Sequence, residues 1–329
     1  MPPELALAPA SVATPWRSAL VRLSLAWLAL FALTIAEWRE MAHQWWNIDT
    51  YNHVLLVPAI VGWLIWLRRE ELAKLCPEGW APALGWLAAG LALWLGGRAA
   101  EVNLVAQAGT VMAFQGATMA LLGLRVSLVL AFPLVFAAFL VPFGDELIPT
   151  LQHLTAAMTV SLTHLSGVPA VIDGLYIDTP GGKFVVAEEC SGVKFLIAMV
   201  ALSTLMAWTG FVSWKRRVLL VVGAAMVAIV ANGLRAFGTI YVAQWVGAER
   251  AGGFDHIVYG WVFFAVVIAL VLGVAWRFFE REPADAGLTA AEAAAHPLVR
   301  LERHAIAPEA ALLAIVGLAI GFAVIARLV

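Results

Sequence analysis

Long apolar runs, separated by short charged or glycine- and proline-marked breaks, organise the chain. They fall at 16–37, 53–67, 81–95, 102–124, 126–141, 190–212, 218–236, 256–276 and 310–326. Most approach or exceed the roughly 18 residues needed to cross about 30 Å of hydrocarbon. Lipid offers no partners to backbone N–H and C=O groups, so segments of this kind close their hydrogen bonds internally, as helices. The expected fold is all-α: a polytopic transmembrane helical bundle with about eight core spans and one extra C-terminal span. The expected domain division is a membrane core at 1–280, a charged cytoplasmic linker at 281–309 and an additional transmembrane helix at 310–329.

Two stretches break this rhythm. Residues 147–165 carry Gln152, His153, Thr155, Thr159, Ser161, Thr163 and His164, too many polar groups for a lipid-facing span. An amphipathic helix is expected there, lying at the interface or inside the bundle without crossing. Residues 167–189 form a short extramembrane segment. In it, 174–179 and 183–186 flank Pro180-Gly181-Gly182 in the pattern of a small hairpin.

Composition narrows the class. With 63% hydrophobic and 13% charged residues and a mean hydropathy of +0.89, the chain has the lipid bilayer as its solvent. A net charge of −2 gives nucleic acid no electrostatic footprint. Only Cys76 and Cys190 are present, so neither a disulfide framework nor a Cys-rich metal site is expected, and no cofactor is implied. Residues 1–13 hold no basic n-region, and Arg17 and Arg22 enter a full-length apolar run, which reads as an uncleaved anchor. No internal repeat of the kind that builds two-halved transporters is visible.

Charge also sets an orientation. With a cytoplasmic N-terminus and no crossing at 147–165, 13 of the 20 Lys and Arg residues fall inside and 7 outside, the inner ones in clusters such as Lys215-Arg216-Arg217. The starts of the runs at 190 and 256 and the end of the run at 218–236 then share the outer face. That brings Cys190, Arg235 and His256 to one membrane surface, with His53 at the outer start of its own run. Cys76 falls on the opposite side.

These residue types suit acyl transfer. A thiol is a nucleophile as thiolate, and a helix N-terminus and a nearby cation both favour that form. Cys190 opens an apolar run, Arg235 is permanently charged, and His256 at a helix start is biased toward the neutral imidazole of a general base. Backbone N–H groups of Ser191 and Gly192 are further candidates for an oxyanion site. Plainer readings stand beside these: Cys190 as a small packing residue, Arg235 as an interfacial anchor, His256 as a helix cap or partner of Asp255. Glu188 and Glu189 either favour the helix start or pair with Arg235.

Glu188-Glu189-Cys190-Ser191-Gly192-Val193-Lys194, Asn232-Gly233-Leu234-Arg235 and Asp255-His256-Ile257-Val258-Tyr259-Gly260 resemble the motifs of the exosortase/archaeosortase family. Tyr51-Asn52-His53-Val54-Leu55-Leu56-Val57-Pro58 is similar to that family's early aromatic–polar–His segment. It differs in Asn52, where a small residue is common, and in Val54, where glycine is. The resemblance spans roughly 16–280. It implies a membrane cysteine peptidase or transpeptidase with Cys190 as nucleophile and Arg235 and His256 as partners. Supporting roles would fall to Glu188, Glu189, Ser191, Gly192, Asn232 and His53.

The implied substrates are exported proteins with a C-terminal PEP-CTERM signal: a Pro-Glu-Pro-like motif, a transmembrane helix and a basic tail. The acyl-enzyme would pass to water or to an unknown acceptor nucleophile. The implied location is the periplasmic face of a bacterial inner membrane, with a link to exopolysaccharide systems. Rival readings are a polysaccharide-export or transport component, with Arg235 and His256 lining a path, and a non-catalytic membrane scaffold.

Overall fold

The computed structural model describes residues 13–251 and 254–328. The chain begins with α1 (Ala13–Leu33), α2 (Ile35–Asn47), a 3-10 segment (Asp49–Leu56) and α3 (Val57–Leu67). Next come α4 (Arg69–Leu72), β1 (Gly79–Trp80), α5 (Pro82–Ala99) and α6 (Asn103–Leu122). They are followed by α7 (Leu124–Val129), α8 (Ala131–Phe136) and α9 (Ile148–Leu165). Three strands follow, β2 (Val171–Asp173), β3 (Tyr176–Thr179) and β4 (Gly182–Val185), and then α10 (Val193–Gly210). The remaining elements are α11 (Trp214–Val246), α12 (Ala248–Ala251), α13 (Phe254–Trp276), α14 (Ala290–Ala295), β5 (Ala305–Ile306) and α15 (Pro308–Ile325).

The chain is a polytopic helical bundle. Among the described residues six helices are long and apolar enough to cross a membrane, and a seventh arises if 131–140 and 145–165 count as one broken span. The run expected at 126–141 is split into α7, α8 and a 3-10 turn. Pro133 accounts for the break at Leu130, because its ring collides with the carbonyl four residues back and it has no N–H to give.

The chain divides into two compact units, Met1–Asn47 with Val54–Pro142 and Gly287–Val329, and Ile48–His53 with Phe143–Ala286. The first is built on the antiparallel pair α5–α6, whose backbones touch through glycine. A Cβ at Gly97 would lie 2.3 Å from the Ala106 nitrogen, and one at Gly109 2.3 Å from that of Trp94. Gly90 and Gly116 make the same kind of contact at 2.7 and 2.6 Å. Small residues at such positions let helices approach closely enough for dispersion to hold them in lipid. The C-terminal region completes this unit. The Ala290 N–H donates to Glu71 (2.8 Å), Arg125 pairs with Glu302 (2.7 Å), and β5 runs antiparallel to β1. Ala311, Ile315 and Ala319 of α15 join Ala19, Leu23, Ala26 and Leu30 of α1 in one buried cluster.

The second unit holds α9 to α13. The polar residues of α9 fall on two faces. Gln152, Thr155, Thr159 and Thr163, spaced three or four apart, are buried with Ala156 and Val160, while His153, Ser161 and His164 are exposed. The expected hairpin is a three-stranded antiparallel meander, in the order β2-β3-β4. Its Ile177 is buried with Val186 and with Ile240 of α11. Helix α11 outlasts the apolar run that foretold it: it runs on through Gly238 and ends only at Gly247, whose φ is +84°. Its 33 residues extend about 50 Å.

Candidate functional site

Residues 188–192 form a compact turn rather than the first turn of the following helix. Glu188–Cys190 is a single 3-10 turn, Gly192 caps α10 with φ +85°, and the helix begins at Val193. Cys190 therefore lies three residues upstream of the helix it was expected to open. Its N–H donates to the Ala187 carbonyl (2.9 Å), and its half-buried side chain packs against the cluster containing Ala156, Val160, Ile177, Val186 and Ile240.

Asn232 of α11 fixes this turn. Its Nδ2 donates to the Cys190 carbonyl (2.9 Å) and to Thr155 Oγ1 on α9 (3.1 Å). The Thr155 hydroxyl in turn donates to the Ser191 carbonyl (3.4 Å), and Gln152 Nε2 donates to the Val186 carbonyl (2.8 Å). Gly192 lies directly on Asn232, where a Cβ would come 2.5 Å from Cγ. Two independent constraints, the positive φ and this contact, thus require glycine at 192. Asn232 is 3% exposed, and its Oδ1 has no hydrogen-bond partner among the described residues.

Arg235 sits one turn further along the same helix. It was expected at a helix C-terminal end, but α11 continues to Val246, so the side chain lies within the helix and is 5% exposed. Between Ala236 and Val246 the segment holds no proline and one glycine, Gly238, which the helix tolerates in its interior at a modest cost. The guanidinium lies 5.6 Å from the centre of the Phe195 ring, which stacks on Phe264 of α13 at 4.1 Å. A Cβ at Gly260 would lie 3.0 Å from Arg235 Nη1, so α13 makes room for the cation by having no side chain there. Arg235 Nε is buried without a hydrogen-bond partner among the described residues.

The side chain of His256 lies outside the described residues. Position 256 precedes Gly260 by one turn of α13, and helical spacing puts 256, 260 and 264 on one face. Glu188 and Glu189 are exposed, and neither pairs with Arg235. Ser191 is 2% exposed, and its N–H already donates to the Glu188 carbonyl (3.0 Å), which removes it as an oxyanion donor. His53 lies on the 3-10 segment before α3. Its Nδ1 donates to the Thr50 carbonyl (3.1 Å), while neighbouring Tyr51 bonds Asp145 (2.6 Å). A carbonyl only accepts, so the proton is on Nδ1 and the lone pair on Nε2, which is buried and unpartnered among the described residues. Among the described residues no hydrogen bond joins His53 to Cys190.

The structure thus brings Cys190, Ser191, Gly192, Asn232 and Arg235 into one region. It adds Thr155, Gln152, Phe195 and Phe264, which motif reading alone did not single out. The three- and four-residue spacing of Gln152, Thr155, Thr159 and Thr163 was the available signal for the first two. Among the described residues no group of three or more His, Cys, Asp or Glu side chains forms a metal site.

Residues 45–273 match the family model for transmembrane exosortase (Exosortase_EpsH). No curated protein matches the chain, and no solved structure does.

Proposed function

The chain belongs to the transmembrane exosortase family, and on that premise we propose that it is a membrane-embedded cysteine peptidase or transpeptidase. Its substrates are exported proteins bearing C-terminal PEP-CTERM-type sorting signals. The observation that carries this reading is the clamp on Cys190. Asn232 holds the nucleophile's own carbonyl, and Arg235, one turn away, keeps a buried nitrogen unpartnered among the described residues. A buried guanidinium with spare donor capacity is costly unless something anionic completes it.

In the proposed reaction the Cys190 thiolate attacks the scissile carbonyl carbon. Negative charge passes to the carbonyl oxygen, for which Arg235 and the Gly192 N–H are the donors. Collapse breaks the C–N bond, the departing amine takes a proton from the His256 imidazolium, and a thioester remains on Cys190. Water or an acceptor amine then gives its proton to neutral His256 and displaces the thiolate, leaving a carboxylate or a new amide.

The outer face of the inner membrane, with the N-terminus cytoplasmic, is the proposed location. The distribution of Lys and Arg supports it, and so does helix length. Arg235 lies about 18 residues beyond Lys215-Arg216-Arg217, roughly 27 Å along the axis and close to the far edge of a ~30 Å hydrocarbon layer. The burial of Arg235 inside a long helix also favours a second reading, a transport or polysaccharide-export component, because intramembrane cations often line paths.

The test is processing of an exported reporter with a PEP-CTERM-type tail, followed by gel shift. Cys190→Ala, Arg235→Ala and His256→Ala are each expected to accumulate uncleaved reporter at normal membrane levels. Normal processing by Cys190→Ala would sink the peptidase reading and leave transport in its place.

A further inference from the structure

Among the described residues, the β2-β3-β4 sheet ends in an unpaired β4 edge that leads by chain to Cys190. Register determines which groups face that edge. β3 and β4 pair as Tyr176↔Val185, Ile177↔Phe184, Asp178↔Lys183 and Thr179↔Gly182. The Val186 N–H donates to the Leu175 carbonyl (3.0 Å), which makes 175 and 186 a hydrogen-bonded pair. Antiparallel pairs alternate, so Phe184 and Gly182 bond inward to β3, whereas Val185 and Lys183 turn their N–H and C=O groups away from it. β4 is the last strand of the sheet. Those four backbone groups have no hydrogen-bond partner among the described residues, and Val185 is 50% exposed.

The edge is held rigidly. Gly181 rests on Gln244 and Gly182 on Ala248, while Gln244 Nε2 donates to Thr179 Oγ1 (3.2 Å). The extension of α11 beyond Arg235 supplies the first of these supports. From Val185 the chain passes through Val186, pinned by Gln152, into the turn carrying Cys190. Five residues span at most about 17 Å.

We propose that this edge receives the substrate as an added fourth strand and presents its scissile bond to Cys190. The proposal rests on the peptidase reading above. The occupant is an extended polypeptide segment, because two outward residues at strand spacing offer alternating donors and acceptors. A helix has satisfied its own backbone groups and cannot pair with them, and a lipid has no such series. Main-chain pairing supplies affinity here without demanding particular side chains.

The experiment replaces Val185 with proline. This deletes an outward N–H and no internal hydrogen bond, and proline is tolerated on such an edge. Using the tailed reporter, Val185→Pro is expected to slow processing roughly tenfold, the scale of losing one or two hydrogen bonds. Membrane level and alkylation of Cys190 by N-ethylmaleimide are expected to match wild type. Wild-type processing by Val185→Pro, with Cys190→Ala still blocked, overturns the strand-addition proposal and leaves the peptidase reading intact. Normal processing by Cys190→Ala overturns both.

If Val185→Pro does not accumulate, p-benzoylphenylalanine at 185 in the Cys190→Ala background decides. A photo-crosslink to uncleaved reporter supports the proposal. No crosslink, or a crosslink only to a second copy of the chain, overturns it.

Discussion

The α5–α6 and α9–α11 pairs meet the same demand, helix association where lipid is as apolar as any side chain, by opposite means. In α5–α6 the contact is an absence: Gly90, Gly97, Gly109 and Gly116 bring backbone against backbone, and dispersion does the rest. In α9–α11 one glycine, Gly233, lies against Met158, and beside it Thr155 and Asn232 are hydrogen-bonded. The second pair leaves Asn232 Oδ1 and Thr159 Oγ1 buried and unpartnered among the described residues. Buried polar groups cost desolvation unless paired, so a helix pair built only to hold would be expected to use the first solution. The second ties its packing to the turn that carries Cys190.

The contrast predicts different failures. Gly109→Leu forces a side chain to within 2.3 Å of the Trp94 backbone and is expected to destabilise the protein by about 3 kcal/mol or more. Thermal unfolding in detergent reads this as a large fall in midpoint, with processing lost only in proportion to folded protein. An unchanged midpoint would mean that the two backbones do not touch.

Asn232→Ala strips the Cys190 carbonyl and Thr155 of a partner, at a stability cost of about 1–3 kcal/mol. Its effect on processing is expected to be larger, roughly 100-fold, because transition-state positioning is lost with the clamp. If stability and processing fall together, as for Gly109→Leu, the distinction between the pairs fails.

Thr155→Val keeps the shape and removes the hydroxyl that accepts from Asn232 and donates to the Ser191 carbonyl. A loss of about 1 kcal/mol and a several-fold slowing are expected, measured in the same two assays.

The smallest effect belongs to the opposite end of α11. There Glu280 accepts from the Ser213 and Val212 N–H groups (3.0 and 2.6 Å) and pairs with Arg216 (2.8 Å). Those backbone bonds, with the nearby arginines, hold its carboxyl below the usual carboxylate range. A depressed carboxylate stabilises above its unfolded pKa and loses that contribution as pH falls. Glu280→Gln is therefore expected to lower the midpoint slightly at neutral pH and to flatten its decline as pH falls below the ordinary carboxylate pKa of 4.5. An identical acid limb in both proteins would remove Glu280 as a cap.

Much of this was legible without coordinates. Apolar run length identified a membrane bundle, because a bilayer admits few backbone solutions. The stretch around Cys190 and the Asn232-x-x-Arg235 spacing also stood out, through their resemblance to the family's motifs. Less legible was where helices end. Arg235 looked terminal because hydrophobicity falls after Ala236, but a helix does not have to stop where an apolar run does, and this one continues through Gly238 to Val246. The oxyanion assignment of Ser191 failed for a similar reason, as a backbone N–H engaged inside a 3-10 turn looks the same in sequence as a free one.

The sequence by itself determined the solvent, the helical class and the family, since each follows from local chemistry or from motif. Tertiary structure alone decided that Gly192 answers to Asn232, that Thr155 of α9 reaches the Cys190 turn, and that β4 leaves an edge open beside it. Those facts depend on residues far apart in the chain arriving at one place. Packing of whole helix faces sets that arrival, and no local pattern encodes it.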